Sequence, residues 1–154
     1  MGAESTDLTP WSEVHTEIER TIGVILFTVL HFTDGGTRME RVYSSHPVEY
    51  PVGGSKDVAT EVSPEWIAVS RDAGTPYFGA SPEDLENIFA DAELIRSLGC
   101  GSILNVPLKN AVGHTWGTVN LCAAEGSYTQ EKIDRALEII AHGVRTAENG
   151  RRHP

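Results

Sequence analysis

Two apolar runs, each doubled back on itself by a tight turn, constrain this chain more than any other feature. The first is Gly23-Val-Ile-Leu-Phe-Thr-Val-Leu-His-Phe-Thr33, rich in β-branched and aromatic residues and closed by Asp34-Gly35-Gly36. Such residues favour a pleated surface, and glycines at the turn supply the positive φ that short hairpin connections need. A return strand follows from about Thr37 to Ser45. The second hairpin sets Gly101–Leu108 against His114–Ala123 around Asn110-Ala-Val-Gly113. Strands joined by so few residues pair antiparallel, because a parallel partner needs a crossover of a dozen or more residues.

Helical stripes lie between and outside the hairpins. Pro10 suits a first helical position, and Trp11, Val14, Ile18 and Ile22 recur at helical spacing. Ser63-Pro64-Glu65 opens a second helix with Trp66, Ile67 and Val69, ended by Gly74. Thr75–Phe78 reads as a short strand. Ser81-Pro82-Glu83-Asp84 starts a third helix, and Asp91 a fourth through Leu94, Ile95 and Leu98. Thr129 starts the last, whose stripe is Ile133, Ala136, Leu137, Ile140, Ala141 and Val144. The prolines and glycines of His46–Lys56 predict an irregular loop. The order is α-β-β-α-β-α-α-β-β-α, an α+β arrangement rather than a doubly wound parallel sheet. Residues 9–147 form the expected single domain, with 1–8 and 148–154 as flexible termini.

A length of 154 residues with 40% hydrophobic content supports one core without disulfide or metal staples. The net charge of -10 argues against a nucleic-acid face, which needs a basic patch. Two cysteines without a CxxC, and no signal-peptide pattern, predict a reduced, cytoplasmic protein. The longest apolar run falls far short of the roughly 20 residues of a membrane span, so no membrane association is expected. The histidines form no HxH or HxxxH cluster, so no metal is expected, and no cofactor.

Gly99-Cys-Gly-Ser-Ile-Leu-Asn-Val-Pro-Leu108, then Gly117-Thr-Val-Asn-Leu121, then Tyr128-Thr-Gln-Glu131 before an amphipathic helix, resembles the C-terminal half of GAF domains. The likeness covers roughly residues 10–147. Tyr43–Pro51 is similar to a segment of stand-alone bacterial GAF proteins. The resemblance implies a GAF/PAS-like central antiparallel β-sheet, with the terminal helices on one face and a pocket on the other, covered by residues 46–100. It also implies a small-molecule ligand, since GAF domains bind cyclic nucleotides, tetrapyrroles, amino acids and other metabolites. A bilin-attachment motif and an Asn-Lys-Phe-Asp-like nucleotide motif are absent from the sequence. Free methionine sulfoxide reductases, GAF enzymes of this size, use several cysteines. Here there are two, and Cys100 stands nearer Pro107 than the equivalent cysteine does in that family.

The pleat suggests where a ligand would lie. With Lys109 opposite His114, Asn105 falls opposite Thr118 and Ile103 opposite Asn120, and Trp116 and Cys122 share their face. With Phe32 opposite Thr37, Thr28 comes near Arg41 and Leu26 near Tyr43, with Ser45 on the same side. Asn105, Asn120, Thr118, Tyr43 and Ser45 are therefore the expected ligand contacts. Tyr50 and Trp66 are the expected aromatic walls, and Lys56, after Gly53-Gly54-Ser55, a contact for an anion. The alternative is that the asparagines satisfy covering-loop backbone, that Lys56 is solvated and that the aromatics are core. Cys100, between two glycines, is a candidate nucleophile with His46 as its base; alternatively it fills a small space. Cys122 reads as packing, and a Cys100–Cys122 redox pair would need Cα atoms within about 7 Å.

Three functions follow: a metabolite-binding sensory or carrier domain, a small cysteine-dependent enzyme, or a dimerisation domain without ligand. A homodimer through the terminal helices is expected.

Overall fold

The first hairpin forms because three successive residues at its tip take positive φ: Asp34 at 53°, Gly35 at 68° and Gly36 at 90°. They make a 3-10 turn over Asp34–Gly36 between β1 (Leu26–Thr33) and β2 (Arg38–Ser44). The computed structural model describes residues 7–152, with side chains for 7–148. The flexible ends expected at residues 1–6 and 153–154 lie outside the described residues.

Four further strands complete one sheet: β3 (Ser55–Asp57), β4 (Tyr77–Gly79), β5 (Ser102–Lys109) and β6 (Thr115–Ala123). Their order is β3-β2-β1-β6-β5-β4, with every pair antiparallel. The sequence reading left β3 inside an irregular loop. Gly53, at φ 93°, turns the chain back so that Gly53 N–H donates to Arg41 O and Arg41 N–H to Gly54 O, each at 2.8 Å. The glycines that argue against regular structure thus deliver Ser55–Asp57 to the β2 edge.

Between β3 and β5 the chain forms α2 (Val58–Glu61), α3 (Pro64–Trp66), α4 (Pro82–Ile88) and α5 (Ala92–Ser97). Ser63 and Ser81 cap α3 and α4 by accepting from Trp66 N–H and Asp84 N–H. α3 runs into a π-helical segment, Ile67–Asp72. α2 was not expected; Asp57 caps it through Ala59 N–H while Glu61 accepts from Asp57 N–H.

Both hairpin registers differ from the expected ones. In the second, Asn105 faces Asn120 and Ile103 faces Cys122, a slip of two residues. An even slip keeps every side chain on its face, so Asn105, Thr118, Asn120 and Cys122 still share one. A bulge at Leu108/Lys109 skips Trp116 and turns it to the opposite face, where its ring stands edge-on to His31 at 5.3 Å. In the first hairpin Leu30 faces Arg41, but a bulge shifts Val29 onto Tyr43 and Thr28 onto Ser44. An odd shift reverses sides. Tyr43 consequently packs edge-on against Phe27 at 5.7 Å, away from the asparagines.

The middle segment covers the asparagine face. Trp66, Leu85, Ile88, Phe89 and Ile95 bury their side chains there against Leu26, Leu30, Ile103 and Cys122. Each such large apolar side chain contributes about 1.5–3 kcal/mol by leaving water.

Residues 24–128 form this unit, and the terminal segments form a second. In the latter, α1 (Trp11–Thr21) lies along α6 (Gln130–Arg152). Gly143 permits the close approach: a Cβ there would fall 2.6 Å from Val14 Cγ2. α6 continues past the boundary expected at 147. Among the described residues no helix is long and apolar enough to cross a membrane.

Candidate functional site

Four polar side chains on the central strands, and one from the middle segment, form a single hydrogen-bonded chain. Trp66 Nε1 donates to Asn105 Oδ1 at 2.9 Å, and Asn105 Nδ2 donates to Asn120 Oδ1. Thr118 Oγ1 also donates to Asn120 Oδ1, at 3.3 Å, while Asn120 Nδ2 reaches Thr28 Oγ1 at 3.2 Å. Strand alternation places all four sheet residues on one face, and the Ser63 cap aims Trp66 at them. Asn105 is fully buried and satisfied by protein partners, as is Thr118. These partners are side chains rather than the loop backbone the sequence reading had weighed. Asn120 and Thr28 line the space beyond.

That space is a cavity of about 30 Å³. Its polar lining is Thr28, Arg41, Tyr50, Lys56, Asp91, Asn120 and Cys122; Leu26, Leu30, Phe89, Ile95 and Ile103 form apolar walls. A water needs on the order of 10–15 Å³ measured this way, so there is room for about two water-sized atoms.

Arg41 dominates the electrostatics. Its residue is 6% exposed, Nη1 donates to Pro51 O at 3.0 Å, and the guanidinium lies 5.0 Å over the Tyr50 ring. Its Nε is buried without a hydrogen-bond partner. Burial lowers the Arg41 pKa, opposed by Tyr50 and by the Asp91 carboxylate. Tyr50 donates its hydroxyl to Asp91 Oδ2 at 2.8 Å. Burial first, then Asp91, pushes that hydroxyl far above the ordinary tyrosine range. Lys56 Nζ is 3.5 Å from Asp91 Oδ1 and 5.1 Å over the Phe89 ring. Asp91 Oδ1 is itself buried and receives no hydrogen bond, so the contact is ionic only.

The sequence reading named Tyr50, Lys56, Trp66, Asn105, Thr118 and Asn120, and the structure brings these together. It missed Arg41 and Asp91 as site residues. Arg41 had a signal, since strand pairing read from the sequence already sets it near Thr28 on the expected ligand side. Asp91 was read as a helix cap, yet its side chain makes no capping bond and turns to Tyr50 and Lys56 instead. Tyr43 sits on the opposite face. Ser45 stands at the strand end, its Oγ accepting from Phe27 N–H at 2.9 Å and meeting His46 Nδ1 at 2.9 Å.

The His46 imidazole meets Ser45 through Nδ1, and the Cys100 thiol pairs with Cys122. Both thiols are free and buried. The hydrogen bond from Cys122 lowers the Cys100 pKa, burial opposing it, whereas the same bond and then burial push Cys122 well up. Cys122, read as packing, also lines the cavity. Among the described residues no group of three His, Cys, Asp or Glu could hold a metal ion.

No protein-family model matches the sequence. No curated protein matches it significantly. Solved structures do match across nearly the whole chain. The GAF domain/HD domain protein from Geobacter sulfurreducens superposes with a TM-score of 0.71 at 10% identity, covering 96% of this chain and 95% of that one. The GAF domain of a two-component sensor histidine kinase from Bacillus halodurans gives 0.64 at 14% identity, covering 96% and 97%. The cyanobacteriochrome receptor PixJ gives 0.68 at 13%, covering 94% and 96%.

Proposed function

Since the chain has the GAF domain fold, we propose that residues 9–147 act as one domain that binds a small metabolite in the cavity beneath the middle segment, in a sensory or carrier role. One observation carries the reading. A partly enclosed cavity on the central sheet is lined by Arg41, whose buried Nε has no hydrogen-bond partner, and by the Lys56–Asp91 ion pair, next to the Asn120 amide. Unsatisfied buried polar groups are expensive, by about 1–3 kcal/mol each and more when charged, and they persist where another partner satisfies them. The sensor histidine kinase and the cyanobacteriochrome receptor among the similar structures support a sensory role by analogy of fold.

Native mass spectrometry of protein purified without denaturation tests this. A bound mass released on unfolding, or a metabolite that raises the unfolding midpoint and requires Asn120, is the expected result. No bound mass, together with no stabilising compound in a broad metabolite set, overturns it and leaves a domain that only dimerises. The homodimer through the terminal helices belongs to the same proposal, and sedimentation equilibrium decides it.

A cysteine-dependent reaction is the second reading, favoured by the lowered Cys100 pKa. His46 would be its base. Cys100→Ser separates the two readings: a binding domain keeps its ligand, whereas an enzyme loses turnover.

A further inference from the structure

We propose that the cavity beside Arg41 takes the carboxylate group of a small organic acid, held by the Arg41 guanidinium edge, with Lys56 and Asp91 at its mouth. The proposal rests on the binding reading above and names its ligand class.

The charge balance points to an anion. Arg41 and Lys56 bring two positive charges to the lining and Asp91 one negative, and no other lining residue is ionic. A cavity with this surplus favours a monoanion, because an uncompensated buried charge is strongly destabilising until it is paired. Arg41 is held for the purpose on three sides: by Pro51 O at Nη1, by the Tyr50 ring against its plane, and by Gly54 beside it. Its Nε is buried and has no hydrogen-bond partner.

Size and shape separate carboxylate from other oxyanions. Room for about two water-sized atoms matches the two oxygens of one carboxylate and is too small for a tetrahedral phosphate with four. A planar carboxylate also fits the edge of a planar guanidinium, the pairing that gives short, directional charge-assisted bonds. The rest of the ligand would leave on the side of Lys56 and Asp91. Arg41 is almost completely buried, whereas the Lys56 and Asp91 side chains are 16% and 28% exposed, so solvent lies on their side. Phe89, whose ring lies 5.1 Å from Lys56 Nζ, and Ile95 add apolar lining, which suits a short aliphatic chain.

Propionate, its neutral isostere propionamide, and inorganic phosphate are the probes, titrated into the wild-type chain by isothermal calorimetry and by amide chemical shifts. Propionate is expected to bind saturably, moving amides around Arg41 and Lys56, with propionamide at least tenfold weaker and phosphate without effect. Arg41→Gln should weaken propionate at least tenfold and Lys56→Gln less, each variant first shown to be folded by its amide spectrum. The wild-type comparison of acid and amide stands even if Arg41→Gln does not fold. Equal binding of acid and amide, preference for phosphate, or undiminished binding by folded Arg41→Gln overturns the proposal. If none of the three binds while native mass spectrometry still finds a neutral ligand that depends on Asn120, the carboxylate assignment falls and the binding reading stands. If none binds and no ligand is found by any route, both fall.

Discussion

Trp66 Nε1 donates to Asn105 Oδ1 at 2.9 Å across 39 residues of sequence, with both side chains fully buried. This bond fastens the segment that covers the cavity to the sheet that floors it. Asn105 then passes the connection to Asn120, whose amide borders the cavity. The position of the cover and that of the cavity-lining amide are thereby coupled through one asparagine.

Asn105→Ala leaves the Trp66 N–H without a partner and the Asn120 oxygen with Thr118 alone, and opens a small void. A loss of about 2–4 kcal/mol in unfolding free energy is expected from these terms. Urea denaturation measures it. A loss below about 1 kcal/mol would mean that water replaces the amide.

Arg41 is a buried charge without a bonded anion, so its presence lowers the stability of the ligand-free protein. Arg41→Met removes the charge at similar volume and should leave the fold as stable or more stable, by about 1 kcal/mol, while abolishing ligand binding. Thermal unfolding without ligand checks the first half and titration the second. A destabilisation of several kcal/mol would recast Arg41 as a structural tie to Pro51.

Gly54 gives a subtler handle. A Cβ there would sit 2.6 Å from Arg41 Nη1 and 3.1 Å from Pro51 O. Gly54→Ala must therefore displace the guanidinium, costing about 1–3 kcal/mol in strain. The expected signature is a drop in ligand affinity larger than the drop in stability, read by calorimetry and urea denaturation side by side.

Alkaline pH should unfold the protein through Tyr50 and Tyr128. Burial raises both hydroxyls, Tyr50 being raised further by Asp91 and Tyr128 by the cysteines. A group whose folded pKa is raised stabilises fully below its unfolded value, and loses that contribution as pH climbs above it. The unfolded tyrosine value is about 10, so stability should fall steadily beyond that pH. Tyr50→Phe should shallow the slope in a pH series of unfolding midpoints; an unchanged slope would assign the effect elsewhere.

Alkylation should discriminate the two thiols. The Cys122 bond favours the Cys100 thiolate, so Cys100 should label first, followed by Cys122. Cys122→Val removes that bond, and labelling of Cys100 at neutral pH should slow severalfold by mass spectrometry.

From the sequence alone came what local physics controls. Alternation with period two placed Asn105, Thr118, Asn120 and Cys122 on one face, and that survived a register error because the error was even. Ser63 and Ser81 marked helix starts because a hydroxyl two or three residues ahead of free N–H groups caps them wherever the chain goes next. Turn glycines marked both hairpins, hence the antiparallel sheet. Tertiary structure alone decided the rest. The bulges at Val29/Leu30 and Leu108/Lys109 leave no mark in local composition, yet they turned Tyr43 and Trp116 to the other face. β3 formed only because β2 offered an open edge to Ser55–Asp57. Arg41, Tyr50 and Lys56 share one short stretch of sequence, but Asp91 lies well beyond it, and the four meet only once strand, loop and helix have packed. Their contacts depend on the path of the chain between them, which no local spacing encodes.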